Sequence, residues 1–196
     1  MTDFIEFPKM ARLTRECIIT EKIDGTIAQI HITEGGVMFV GSRSRWIRVG
    51  DDNYGFAAWI DRHHDELITL GPGSHFGEWW GNGIQRKYDM AEKKFSLFNT
   101  HRWVRHGEEP KVRSGPHAKE VVYQDVLPPC CDLVPELYRG DFCTVMVDAM
   151  LHALKTNGSV AAPGFMNPEG VVVFHTAAGV GFKKTLDHND QAKGAI

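Results

Sequence analysis

Cysteine is scarce in this chain and poorly spaced for chemistry. The four cysteines are Cys17, Cys130, Cys131 and Cys143, and no Cys-x-x-Cys pair occurs. Adjacent Cys130-Cys131 makes a poor zinc clamp, so the spacing points to reduced thiols in a cytoplasmic protein. Long apolar runs are missing as well. No stretch is long enough to span a bilayer, which excludes a membrane helix, and Met1 to Met10 carries Asp3, Glu6 and Lys9 where a signal peptide would be apolar. Neither sign of charge dominates: the formal net charge is −3. That excludes a general nucleic-acid coat and leaves only local basic faces. Ten histidines are present without a His-Glu-x-x-His pattern, and His63-His64, beside Asp61 and Asp65, read as ordinary helix or surface residues.

What is present supports one core. The chain has 196 residues, of which 42% are hydrophobic, enough for one domain over 1–196 and short for two. No repeat, low-complexity tract or linker interrupts it. Cys17 to Ile23 reads as a strand, and Ile27 to Ile32 with Val37 to Val40 flank the hairpin signal Glu34-Gly35-Gly36. Asp51 and Asp52 cap a predicted helix with Phe56, Ile60, His63 and Leu67 on one face. Phe76 to Trp80 and Phe95 to Phe98 are predicted buried strands. A second helix is predicted from Asp141 to Lys155 with Phe142, Val145, Met146 and Ala149 inward, ending at Asn157-Gly158. Glu169 to Phe174 and Val180 to Lys183 form a final hairpin. The pattern predicts an α+β domain dominated by antiparallel strands.

The residues that carry chemistry come in a telling order. Lys22 lies in Glu21-Lys22-Ile23-Asp24-Gly25; Arg43 follows, then Glu78 in Phe76-Gly77-Glu78-Trp79, Phe98, Glu169 before Gly170-Val171-Val172, and Lys183 in Gly181-Phe182-Lys183-Lys184. A lysine nucleophile, an aromatic for a base, carboxylates for metal and sugar, and a second cation for phosphate are what joins an amine to a nucleotide phosphorus. Lys22 must lose its proton before it attacks. Lys183, on an apolar strand, calls for an anionic partner. In a regular strand Lys184 points to the opposite face. Two basic clusters stand out: Arg43, Arg45 and Arg48 around Trp46, and the stretch from Arg102 to Lys119 with Arg105, Lys111, Arg113 and Trp103.

Lys22-Ile23-Asp24-Gly25 resembles motif I of the covalent nucleotidyltransferases: DNA ligases, RNA ligases and capping enzymes. Phe76-Gly77-Glu78, Phe95 to Phe98, Glu169 to Val172 and Phe182-Lys183 resemble the family's later motifs in the same order. Phe76 to Gln85, with Gly81-Asn82-Gly83-Ile84-Gln85, is most similar to the bacteriophage RNA ligase 2 and RNA-editing ligase type. Ile27 stands where DNA ligases and capping enzymes place arginine and where this type places asparagine. Asn99 and Thr185 also depart from the pattern.

The resemblance implies a ligase-type nucleotidyltransferase domain, ATP-grasp-like, with antiparallel sheets flanked by helices. Larger members add a C-terminal domain, often an OB fold; with only Thr185 to Ile196 after the last motif, no C-terminal OB domain is expected here. It implies an ATP-dependent RNA ligase that forms lysyl-AMP at Lys22, passes AMP to a 5′-phosphate and seals it to a 3′-hydroxyl. ATP and Mg²⁺ (or Mn²⁺) are the implied cofactors, with Glu169 as the metal ligand. Glu78 is expected to hold the ribose, Phe98 to stack on adenine, and Lys183 and Arg43 to contact phosphate. Arg45 is an alternative to Arg43, and Glu21, Lys184 and Gln85 are further candidates beside the nucleotide. The expected partners are RNA ends or a nicked duplex, with a partner protein in place of the absent domain. The Arg102 to Lys119 stretch is the candidate RNA surface, where Trp103 could stack a base. Alternatives of the same chemistry are a minimal DNA ligase and a capping-type guanylyltransferase; a non-catalytic RNA- or nucleotide-binding subunit is a third reading.

Overall fold

A computed structural model describes residues 3–105, 107–108 and 125–187. In chain order the strands and helices are β1 (Glu16–Lys22), β2 (Thr26–Ile32), β3 (Met38–Ser42), β4 (Trp46–Ile47), α1 (Phe56–Arg62), α2 (His64–Leu67), β5 (Gly73–Gly81), β6 (Lys93–Leu97), β7 (Trp103–Val104), β8 (Asp125–Val126), β9 (Cys131–Leu133), β10 (Glu136–Asp141), α3 (Thr144–Asn157), β11 (Gly170–His175) and β12 (Val180–Thr185). They build a four-stranded sheet ordered β10-β1-β11-β12 and a six-stranded sheet ordered β4-β3-β2-β5-β6-β9. All pairings in both sheets are antiparallel except β6 with β9. The fold class is therefore α+β. No helix among the described residues is long and apolar enough to cross a membrane.

Each sheet buries one face under helix. Alternate residues Ala28, Ile30 and Ile32 of β2 and Phe95 and Leu97 of β6 pack with Phe56, Trp59, Ile60 and Leu67 of α1 and α2. In the other sheet Cys17, Ile19, Val171 and Val173 pack against Val147 and Leu154 of α3. A third cluster, Ile23, Trp80, Tyr88, Val134 and Ala162, lies where the chain leaves β1 for β2. The run Ile23-Asp24-Gly25 is thus the crossing from one sheet to the other.

Both predicted helices shift. Asp52 does cap α1, accepting from the backbone of Ala57 at 2.9 Å, but Gly55 in the left-handed region (φ 83°) intervenes and delays the start to Phe56. The last helix begins at Thr144 because Cys143 is still extended (φ −148°, ψ 127°). Phe142 and Met146 pack inward as expected, together with Val147, Met150, Leu151 and Leu154, while Val145 and Ala149 face outward. Trp103 is 3% exposed, with the Arg102 guanidinium 4.4 Å over its ring and paired to Asp125. It is a core residue and not a surface for stacking bases. Arg105 is exposed, and Lys111 and Arg113 lie outside the described residues.

Glu21 shows how the four-stranded sheet is tied down. Strand alternation turns it to the α3 side, where it is 1% exposed. It accepts hydrogen bonds from Ser159 Oγ at 2.6 Å, Val160 N at 2.8 Å and Ala161 N at 2.9 Å. Burial holds its carboxyl above the usual range despite these donors. Glu21→Ala leaves the buried hydroxyl and both amides unpaired, so urea unfolding should report a loss of about 3 kcal/mol. A loss no larger than the ~0.5 kcal/mol of a surface substitution would remove this anchoring role.

Candidate active site

Lys22 is the last residue of β1, and its antiparallel partner on β11 is Gly170. Glu169 immediately precedes Gly170, so the pairing brings its carboxylate round to the lysine. Lys22 Nζ donates to Glu169 Oε2 at 2.6 Å, with both side chains largely buried. A Cβ on Gly170 would collide with the carbonyl oxygen of Lys184 on β12, so this close approach requires glycine.

Three contacts fix the turn after Lys22. Asp24 N donates to the Tyr88 hydroxyl at 2.7 Å, Asp24 Oδ2 accepts from Arg86 Nε at 3.0 Å, and Gly25 N donates to Glu78 Oε1 at 3.0 Å. A Cβ on Gly25 would stand 2.5 Å from Trp79 O and 2.7 Å from Trp80 Cβ, so only glycine lets the backbone lie against β5. Glu78 is pushed up to about 7, chiefly by burial, with Glu169 and Asp24 adding to the rise while Lys22 and the Gly25 amide oppose it. Its carboxyl is therefore poised between donor and acceptor states near neutral pH.

Register places the remaining candidates. Glu78 opposes Ile27 on one side and Ser96 on the other, and Phe98 N bonds Phe76 O at 3.0 Å. Glu78, Ser96 and Phe98 consequently share one face of the six-stranded sheet, where Phe98 is 41% exposed. Ile27 fills the same face beside Glu78. In the other sheet Lys183 opposes Val172, which opposes Thr20, so Lys183 shares the face of Lys22 and is exposed. Thr185 shares that face too, opposite Gly170.

Two expectations are corrected. Lys184 opposes Val171 on the α3 face and donates to Asp148 at 2.7 Å, so it is turned away from Lys22. Glu21 is likewise on that face and spent on the Ser159 loop. Both follow from the two-residue period of strands, which sends neighbours of Lys22 and Lys183 to the opposite side. Arg43 lies exposed in the turn after β3, and Arg45 forms a two-pronged pair with Asp51 at 2.7 and 2.8 Å. Gln85 is exposed.

Arg86 is the residue that sequence reasoning missed. Besides Asp24 it donates to Asn167 O at 3.1 Å, Asn167 Oδ1 at 2.9 Å and Asp187 Oδ2 at 2.5 Å. One guanidinium thereby ties the Lys22 turn to the segment that delivers Glu169. Its loop is bent hard: Gln85, Lys87, Tyr88 and Asp89 all have positive φ, between 42° and 62°. Such conformations persist in non-glycine residues where surrounding contacts enforce them. Buried Tyr88, its hydroxyl pushed upward by burial, supplies that enforcement. No local spacing signals a partner across 62 residues of chain.

Residues 15–185 match the profile of the RNA ligase family. The chain belongs to the RNA ligase family. No curated protein matches it by sequence. Its fold is similar to that of Naegleria gruberi RNA ligase variants solved with ATP and Mn. One has TM-score 0.57 at 16% identity, over 89% of this chain and 51% of that one. Another has TM-score 0.57 at 15% identity, over the same shares. A variant solved with AMP and Mn gives 0.56 at 15% identity, over 88% of this chain and 50% of that one. This chain spans about half the length of those proteins.

Two measurements check this geometry. Arg86→Lys keeps the charge but loses the planar fork, forfeiting about 1.5–3 kcal/mol of charge-assisted bonding. Amide exchange at Asp24 and Gly25 should rise by at least about tenfold; unchanged protection would show that Arg86 does not hold the turn. For Glu78, the folded carboxyl titrates near 7 against an ordinary 4.5, so the folded state binds more protons and stability falls as pH rises through that window. The loss totals about 3 kcal/mol, and Glu78→Gln escapes it. Urea unfolding should show the variant's advantage growing from pH 5 to pH 8, and a flat difference would contradict the raised value.

Proposed function

We propose that this chain is the adenylation module of an ATP-dependent RNA ligase: one ATP-grasp-like domain over residues 1–196 that forms lysyl-AMP and passes it to an RNA end. The observation that carries the reading is the 2.6 Å Lys22–Glu169 contact built by strand register in a chain of the RNA ligase family. Lys22 Nζ forms a bond to the α-phosphorus of ATP while the bond to the bridging oxygen breaks, and pyrophosphate leaves with that electron pair. Glu169 orients the amine through that contact. Glu78, poised near neutrality, bonds the ribose hydroxyls, Phe98 stacks on the adenine, and Lys183 neutralises phosphate from the same face as Lys22. Arg43 contacts phosphate or the RNA end.

The residues present fit a divalent ion of the Mg²⁺ kind. Among the described residues no group of three or more His, Cys, Asp or Glu side chains could form a dedicated cage. A single carboxylate such as Glu169 beside nucleotide phosphates suits an ion that keeps several waters and binds few protein ligands. Such an ion supplies neutralisation of phosphate charge.

The second step transfers AMP from Lys22 to a 5′-phosphate, regenerating the free amine. In the third, a 3′-hydroxyl oxygen attacks that phosphate and AMP leaves. RNA ends or a nicked duplex need contacts outside the nucleotide pocket, from this chain's basic surfaces or a partner protein. Four free thiols support a reducing setting, the cytoplasm.

The third step makes no use of the lysine amine, which gives a clean test. Lys22→Ala should lose sealing of 5′-phosphorylated RNA with ATP by at least about 10³-fold, the loss expected when a covalent nucleophile is removed. It should still seal RNA that carries a preformed 5′-adenylate. ATP-dependent sealing by Lys22→Ala, or failure of the unaltered protein on both RNAs, would overturn the assignment.

A further inference from the structure

The six-stranded sheet packs one face under α1 and α2; on its other face Glu78, Trp80 and Ser96 are buried near the crossing, while the part toward β3 and β4 carries aromatics in the open. Phe39 opposes His31, Gly41 opposes Gln29, and Gln29 opposes Phe76, so these residues share the side on which Glu78 and Phe98 lie. Trp46 is 54% exposed, Phe76 48%, Phe39 45% and Phe98 41%. The Phe39 and Trp46 rings are centred 5.8 Å apart, and His31 lies 6.3 Å from the first and 6.2 Å from the second. A Cβ on Gly41 would meet the Trp46 indole at 3.2 Å, so the ring lies against β3 and is held there.

Polar groups are interleaved with the rings. Gln29 Nε2 donates to Ser74 Oγ at 3.2 Å, and His31 Nδ1 lies 2.9 Å from the same oxygen. Arg43 and Arg48 are exposed at the edge next to Trp46. Exposed rings on a strand surface, hydrogen-bonding groups between them and cations at the rim match the demands of unpaired nucleotides: a stacking plane, base-edge partners and phosphate counter-charge. A protein partner would ask for a continuous apolar core, which Gln29, His31 and Ser74 interrupt. The strip runs without a break from Trp46 and Phe39, through Gln29 and Phe76, to Phe98 and Glu78.

We propose that this face is a stacking platform for single-stranded RNA, with His31, Phe39 and Trp46 holding bases of the strand whose end enters the nucleotide pocket. The inference rests on the RNA ligase reading and adds the surface that handles the polymer. Trp46 offers a direct probe, because Trp59, Trp79, Trp80 and Trp103 are 7%, 2%, 1% and 3% exposed.

The test titrates the full chain, without ATP, with a fluorescein-labelled unstructured oligouridylate, reading anisotropy and tryptophan emission. RNA should quench Trp46 in the unaltered protein. Trp46→Phe should bind with unaltered affinity but without the quench. The Phe39→Ala, Trp46→Ala double variant should bind at least about tenfold more weakly, by the usual worth of a base–aromatic stack. Its covalent labelling from α-labelled ATP should stay at the unaltered level, which shows an intact fold and pocket. Equal RNA affinity with intact labelling overturns the platform and leaves the ligase reading standing. Absence of labelling in the unaltered protein strikes the ligase reading itself. Self-association of the unaltered chain in sedimentation, abolished by the double variant, overturns the platform in favour of an interface between copies.

Discussion

The antiparallel pairing of Lys22 with Gly170 is the constraint from which the rest of the site follows. β1 and β11 are neighbours in the four-stranded sheet, and the pairing ends where both strands end. The residue before Gly170 is Glu169, so a backbone ladder, not a flexible loop, brings carboxylate and amine together. A shift of one residue would flip Lys22 to the α3 face, where Glu21 is anchored. The buried residues Cys17, Ile19, Val171 and Val173 forbid that shift because they would be carried to the open side.

Around this pair, acidic groups converge from both sheets. Glu78 comes from β5, Asp24 from the crossing and Glu169 from the approach to β11, while Arg86 compensates Asp24 and Asp187. Burial, with a smaller push from Glu169 and Asp24, makes the Glu78 carboxyl hold its proton toward neutral pH. Preorganisation of this kind fixes the dipoles in advance, so little rearrangement would be left for the proposed nucleotide chemistry. The bent loop from Gln85 to Asp89 stores strain for the same end, placing Tyr88 and Arg86 against the turn.

Much of this was readable in the sequence because short-range rules govern it. Short apolar runs marked β1, β5 and β11, alternation marked β2, Glu34-Gly35-Gly36 marked the hairpin, and the order of the motifs around Lys22, Glu78, Glu169 and Lys183 marked the family. The same period of two put Lys184 on the far face before any coordinates. Helix phase was less accessible: Phe142 and Met146 pack inward as expected, but Val145 and Ala149 face outward. Arg86, Tyr88 and Ser159 were invisible because their partners lie far away in sequence and depend on the two sheets meeting. Trp103 misled because a tryptophan in a basic stretch reads the same whether its ring faces solvent or lies in the core under Arg102.

In the proposed reading the open sheet face is the surface for a polymer and the Lys22 pair the pocket for a nucleotide. The account stands on the claim that Lys22 is the group modified. Intact-mass measurement of the protein incubated with ATP and Mg²⁺, followed by fragmentation of the modified peptide, tests it directly. The account predicts a single adenylyl group on the side chain of Lys22. An adduct on Lys183 or Lys184, or a protein that binds ATP and gains no mass, would contradict it.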